Sequence, residues 1–203
     1  MRHTLLALTL ILFSSFSSAQ EEPAEGTTTR PLPPGERFHK QWVMTASTLI
    51  WNESMELQSG ITTFQDVANY GIAAVTIRRE FTAENWGFHL GGFFGAGGVN
   101  GGGNSPTIEY TEGNVPVTVI GATPRLFYNL SDRINLGASS LIFVKTVTWP
   151  TKAGVRVGAG RNMNAAFIFD INVKLFDNWE FNQGLGAVAE GNTLWNIGIS
   201  RRF

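Results

Sequence analysis

The chain has 203 residues, 15 Lys plus Arg against 16 Asp plus Glu, a formal charge of −1, 12% aromatic residues, 23 glycines and no cysteine. That length suits a single domain. The even charge balance argues against a nucleic-acid face or an acidic tail, and the missing cysteines exclude disulfides and a lipid-modified cysteine.

In chain order, a positive start (Met1, Arg2, His3), an apolar run from Leu5 to Phe13 and the small residues Ser17, Ser18 and Ala19 read as a secretory signal over residues 1–19. The apolar run is about 13 Å long as a helix, too short to cross a bilayer, and the following sequence offers no apolar stretch near 18 residues. Residues 20–38, punctuated by Pro23, Pro31, Pro33 and Pro34, read as a disordered periplasmic lead-in. Residues 39–203 then carry eight candidate strands: 40–52, 67–79, 85–97, 115–129, 133–148, 162–175, 179–189 and 193–203. Each is long enough to cross an apolar slab when tilted, which takes about 9 to 11 residues.

Alternation is clearest in the sixth strand, where Ala165, Phe167, Phe169, Ile171 and Val173 share one face and Asn164, Asp170, Asn172 and Lys174 the other. The third behaves alike, with Trp86, Phe88, Leu90 and Phe94 opposite Gly87, His89, Gly91 and Gly95. The faces of the first, second and fourth strands stay open at this point. Three connections repeat one plan: 79–88, 128–136 and 174–181 each place an apolar residue, a short polar cluster, then two apolar residues spaced by two. Polar side chains in such clusters bond the nearby backbone and turn the chain. The intervening connections, 53–66, 98–114, 149–161 and 190–192, are longer in three cases of four. Barrels of the outer membrane have short periplasmic turns and long outside loops, so both termini are expected on the periplasmic side, with Trp86, Tyr128 and Trp179 in an inner aromatic girdle.

The last strand alternates to the final residue, with Trp195, Ile197 and Ile199 sharing the parity of Phe203. With the signal, the eight strands, the repeated turns and the terminal NIGISRRF, the chain resembles the small outer-membrane β-barrel family that includes OmpX and the membrane domain of OmpA. The resemblance implies an all-β, eight-stranded antiparallel up-and-down transmembrane barrel in the bacterial outer membrane. It also implies that the barrel assembly machinery reads the last strand, through Trp195, Ile197, Ile199 and Phe203. Arg201 departs from the pattern, since an apolar residue is usual there; an arginine so near the interface can lift its charge toward the headgroups.

Catalytic and metal chemistry find little support. After residue 19 the histidines are His39, just before the first strand, and His89, in mid-strand and best read as a satisfied interior histidine. A lipid-modifying enzyme needs a nucleophile, a base and an orienting acid near its rim; neither the histidine–serine–glutamate pattern of the lipid A deacylases nor a nucleophile elbow is present. The glycine tract 91–103 lacks the Lys-Ser/Thr of a phosphate loop. No cofactor, metal or nucleic acid is expected, and a monomer is.

Arg125, Lys145, Asp170, Lys174, Glu180 and Arg202, together with Asn172, Asn182 and Asn196, are assigned to inward positions. Eight strands leave an interior just wide enough for side chains to fill, so these residues are expected to form a polar network rather than an open channel. The first functional reading is a non-enzymatic barrel of structural or surface-interaction type. Two alternatives follow: an OmpW-like carrier or small pore for hydrophobic compounds, motivated by Phe93 and Phe143, and a lipid-modifying enzyme. A soluble lipocalin-like barrel shares the strand count and requires the opposite faces.

Overall fold

The structure, a computed structural model, describes residues 38–83, 85–152, 154–158, 163–188 and 192–203. The signal segment expected over residues 1–19 and nearly all of the expected lead-in over residues 20–38 lie outside these residues. Ten strand segments form one antiparallel sheet: β1 (His39–Ser59), β2 (Thr62–Thr82), β3 (Trp86–Gly102), β4 (Thr111–Ala122), β5 (Arg125–Asn129), β6 (Ile134–Val147), β7 (Val155–Val157), β8 (Met163–Phe176), β9 (Trp179–Val188) and β10 (Thr193–Arg202). Around the ring the order is β1, β2, β3, β4 with β5, β6, β8, β9 and β10, and β10 returns to β1 over Val43↔Arg202 to Trp51↔Leu194. The ring is sealed to its last residue, because Trp42 and Phe203 exchange backbone N–H···O bonds of 3.3 and 2.9 Å. Closure leaves no open edge around the ring.

Eight staves make the wall. β4 and β5 both pair with β3 and β6 and form one stave interrupted at Thr123-Pro124. Proline has no N–H to give a ladder, so a strand expected to run unbroken from 115 to 129 is broken there. Pairing resumes at once: Thr123 N donates to Gly91 O at 2.9 Å, and Ser140 N donates to Pro124 O at 3.0 Å.

The three repeated turns lie at one end of the barrel, the end where β1 starts and β10 finishes. Ser131 shows how such a cluster works, since its Oγ accepts from the backbone N–H of Arg133 (3.3 Å) and Ile134 (3.2 Å). The opposite end departs from expectation. Residues 53–66 are not a loop: β1 and β2 continue in unbroken register from His39↔Thr82 to Ser59↔Thr62 and turn on Gly60 and Ile61 alone. Gly60 sits at φ +59°, which a glycine adopts without strain. Within the 149–161 connection, β7 adds to the projecting part of β1 through Leu57↔Val157 to Ser59↔Val155.

The outward wall settles the faces. Phe167, Phe169, Ile171, Leu185, Trp195, Ile197 and Ile199 are exposed, while Asn164, Ile168 and Asn172 are buried on the inward parity. On β1 the outward residues run Trp42, Met44, Ala46, Thr48, Ile50, then Asn52, Ser54, Glu56 and Gln58. The first group matches a lipid-facing strand and the second a wall facing water. The apolar belt therefore ends near Ile50, and the hairpin projects beyond it by residues 52–66, roughly 25 Å at about 3.3 Å per residue. Among the described residues no helix is long and apolar enough to cross a membrane. The chain is an eight-stranded transmembrane β-barrel.

Candidate functional site

The lumen is where this chain concentrates buried charge. Near the terminal end the hub is Glu80, 1% exposed. Its carboxylate accepts from Gln41 Nε2 (2.5 Å) and Thr82 Oγ1 (3.0 Å), bonds His89 Nε2 (2.5 Å) and meets Arg202 Nη2 (3.3 Å). Arg202 bridges from Glu80 to Glu180, with Nη1 at 2.9 Å from Glu180 Oε1. Beside this cluster, Arg125 donates from Nε and Nη2 to Asp170 (2.5 to 3.0 Å) and from Nη2 to Asn135 Oδ1 at 2.6 Å, while Ser139 Oγ donates to Asp170 at 2.9 Å. A hydroxyl chain joins the first and last strands: Thr45 and Ser200 share a 2.7 Å bond, and Asn182 Nδ2 and Arg78 Nη2 donate to Ser200 Oγ at 2.6 and 3.4 Å. Charges removed from water need such partners.

Glycines make the space. A Cβ on Gly137 would collide with the Arg125 guanidinium, and one on Gly87 with the ring of Phe127. These inward glycines allow large side chains to lie flat against the wall of a narrow barrel.

Above the polar zone the filling turns apolar, which a wholly polar lumen network did not anticipate. Trp51 stacks on Tyr70 with ring centroids 4.6 Å apart and meets Phe143 edge-on at 5.7 Å, and Phe143 meets Phe93 at 6.1 Å. One ion pair is embedded here: Lys145 bonds Glu53, donates to the Tyr70 hydroxyl at 3.3 Å and lies over the Tyr70 ring. Higher still, Met55, Leu57, Val99, Ile108, Tyr110, Val115 and Val155 pack as one buried cluster. Between the polar and aromatic zones is a cavity of about 30 Å³ bordered by Arg78, Phe93, Arg125, Leu141, Asp170 and Asn182 among others. That is room for about two water molecules.

Of the residues assigned inward from sequence, Arg125, Asp170, Lys145, Glu180 and Arg202 take part in these contacts. Lys174 is on the same face, half-buried at the rim and in register with Glu180. Asn172 and Asn182 are buried, and Asn196 is half-buried on the inward parity. Phe93 and Phe143 do point inward, where they fill the bore. Sequence reasoning missed Glu53, Arg78 and Glu80. Glu53 was placed in a loop; Glu80 has a readable signal, because the tight turn after β2 sets it opposite His89 in register. His39 is exposed at the start of β1 rather than before it, remote from His89 by two strands of register. Among the described residues no group of three His, Cys, Asp or Glu could hold a metal ion.

At the projecting end, Asp66 anchors the β3–β4 connection. Its Oδ1 accepts from Val67 N (2.7 Å) and Asn104 Nδ2 (2.6 Å), and its Oδ2 from Asn104 N (3.1 Å). Burial alone raises a carboxyl, but here the side-chain and backbone donors outweigh it and hold Asp66 below the usual range. Tyr110 donates to Pro150 O at 2.9 Å, tying the same connection to the one after β6. At the terminal end Trp86 and Tyr128 pair in register on the outward face, with Trp179 on the same wall.

A sealed antiparallel ring with an apolar outer belt and a packed polar and aromatic filling defines the class of small transmembrane β-barrels. No protein-family model matches the chain, and no curated protein sequence does. Solved structures it is similar to include outer-membrane proteins. The attachment invasion locus protein Ail of Yersinia pestis, in complex with the heparin analogue sucrose octasulfate, is 8% identical with a TM-score of 0.43, over 79% of this chain and 99% of that one. OprG from Pseudomonas aeruginosa is 10% identical with a TM-score of 0.47, over 81% and 95%. The COG4313 outer membrane channel from Pseudomonas putida F1 is 9% identical with a TM-score of 0.41, over 85% and 100%.

Proposed function

We propose that this is a non-enzymatic bacterial outer-membrane protein of structural or surface-interaction type, whose barrel is a plug and whose working part is the projecting hairpin. The observation that carries the reading is the continuous filling of the bore, from the Glu80–Arg202–Glu180 cluster through the Trp51–Tyr70–Phe143 stack to the Met55–Tyr110 cluster. A two-water cavity holds no hydrophobic cargo, and the buried His89 has no route to a lipid ester. The export signal read over residues 1–19 supports the address. In this reading the short turns and both barrel termini face the periplasm, and the hairpin of β1 and β2 with β7 stands outside. The last strand, with Trp195, Ile197 and Ile199 outward and Phe203 at its end, is the segment the assembly machinery takes up.

Two experiments test this. In planar bilayers the refolded barrel shows no large, stable conductance. Cells carrying a chain in which residues 54–67 are replaced by a short Asn-Gly turn, which keeps Glu53 opposite Ala68, still assemble the barrel, seen as a heat-modifiable band, but lose surface attachment or envelope integrity relative to the full-length chain. Stable conductance, or full activity of the trimmed chain in both cell assays, overturns the reading.

A further inference from the structure

Among the described residues Arg78, on β2, stands apart from the other cations of the lumen. Arg125, Lys145 and Arg202 each contact a carboxylate. Arg78 is 8% exposed and donates to the Ser200 hydroxyl at 3.4 Å, with no described carboxylate within ion-pair distance. The carboxylates of Asp170, Glu80 and Glu180 attract it from farther off, and the charge on Arg125 opposes them. All three are already engaged: Asp170 by Arg125 and Ser139, Glu80 by Gln41, Thr82, His89 and Arg202, and Glu180 by Arg202. A guanidinium buried in this way is costly unless an opposite charge meets it.

Arg78 borders the cavity of about 30 Å³, to whose wall all eight staves contribute. Three of its lining residues keep a buried N–H donor with no protein partner: Arg78 Nε, Arg125 Nη1 and Asn172 Nδ2. They stand on every second stave, β2, then the joined β4–β5, then β8, so they approach the cavity from different sides. Two lining acceptors also lack a partner, Asn182 Oδ1 and Asn196 Oδ1. Buried polar atoms are nearly always satisfied, and a group of them left over around one space marks a bound ion or water. Water alone would satisfy these donors and leave the Arg78 charge uncompensated. We infer that the lumen binds one chloride ion between Arg78 Nε, Arg125 Nη1 and Asn172 Nδ2, with a water molecule on the Asn182 and Asn196 oxygens.

Size selects the ligand. A space for about two waters admits a monatomic anion with one water and excludes phosphate, sulfate and organic acids. Guanidinium is weakly hydrated among cations, which suits it to a desolvated ion pair. The bound ion joins β2, β5 and β8 across the bore, a link that no strand pairing supplies. It exists only in the closed barrel, so chloride stabilises that state by mass action.

This inference rests on the packed-bore reading above, and the test separates the two. The full chain without its signal is folded into phosphatidylcholine vesicles, and the folding equilibrium is measured by urea titration while sodium chloride replaces sodium gluconate at fixed ionic strength. The expected result is an equilibrium constant that rises with chloride and approaches tenfold per tenfold increase, the slope of one bound ion. Bromide reproduces the slope. It is lost in Arg78→Gln and retained in Arg133→Gln, an exposed rim arginine in the β5–β6 turn. Should Arg78→Gln fail to fold, crystals of the unsubstituted chain grown in bromide decide, with an anomalous peak expected between Arg78, Arg125 and Asn172. An equilibrium constant indifferent to chloride, a slope kept in Arg78→Gln, or a cavity holding water only overturns the inference and leaves the packed-bore reading intact. That reading fails on a different measurement, stable conductance.

Discussion

Breaking the Arg125–Asp170 pair tests whether the lumen network holds the barrel together. Arg125 is 4% exposed, and its guanidinium gives Asp170 a forked contact while also donating to Asn135. Two charge-assisted bonds at about 1.5 to 3 kcal/mol each are at stake, and stranding one member of a buried pair costs about 3 to 5 kcal/mol. Asp170→Ala leaves the guanidinium the Asn135 hydrogen bond and the Phe127 ring it lies over, with no charged group of the protein in contact, and the lost stability is expected at about 4 kcal/mol. Arg125→Met strands Asp170 with the Ser139 hydroxyl and costs a similar amount. The double variant Arg125→Met/Asp170→Leu buries no charge at either position and is expected within about 2 kcal/mol of the parent. The assay is urea unfolding of the refolded barrel, followed by tryptophan fluorescence, with the four proteins forming a double-mutant cycle. If both single losses stay under about 1 kcal/mol, or simply add in the double variant, the pair is not a stabilising element and the plug account fails.

Gly137→Ala places a methyl group against the Arg125 guanidinium and is expected to cost about 2 kcal/mol or more by overpacking. Gly71→Ala, with nothing within 4 Å of the added atom, changes stability by under about 0.5 kcal/mol in the same unfolding assay. Asp66 is held below the usual carboxyl range, so its contribution is present above the unfolded value of about 3.9 and is lost as pH falls through the lower folded value. Limited proteolysis of residues 103–110 with an acid-active protease therefore accelerates on acidification below that range, and the acceleration is weaker in Asp66→Asn. Ile61, fully exposed at the hairpin tip, tolerates Ile61→Ser with no change in barrel stability beyond about 0.5 kcal/mol; a larger loss would show that the tip packs against the barrel.

Much of the wall was legible because a lipid-facing strand has to obey a period of two. The sixth candidate strand showed it most plainly, and Phe167, Phe169 and Ile171 do face outward while Asp170 faces in. Contacts across a tight turn were equally within reach: Lys174 and Glu180 sit opposite each other about the Asp177-Asn178 turn, as do Glu80 and His89 about theirs. Contacts across the bore were not. Lys145 on β6 meets Glu53 on β1, strands that do not pair, at a height fixed by the stagger of all eight staves. No local pattern carries that quantity, so Glu53 could not be joined to Lys145 from sequence.

The misreading of residues 53–66 has a more specific cause, and it bears on how such barrels end. Alternation does not stop at Asn52; it changes sign. Up to Ile50 the outward residues of β1 are mainly apolar, whereas from Asn52 onward Ser54, Glu56 and Gln58 face outward and Met55 and Leu57 face in. The backbone continues the same stave, but its outer solvent has changed from lipid to water, so the apolar parity moves to the side that packs against Val99, Tyr110 and Val155. A search for lipid-facing strands reads that reversal as the end of a strand, while a search for water-soluble strands reads it as a beginning. Where the two readings abut without Gly or Pro between them, the physical inference is one strand crossing an interface. The level of the crossing, between Ile50 and Asn52, then locates the membrane boundary more sharply than strand length does.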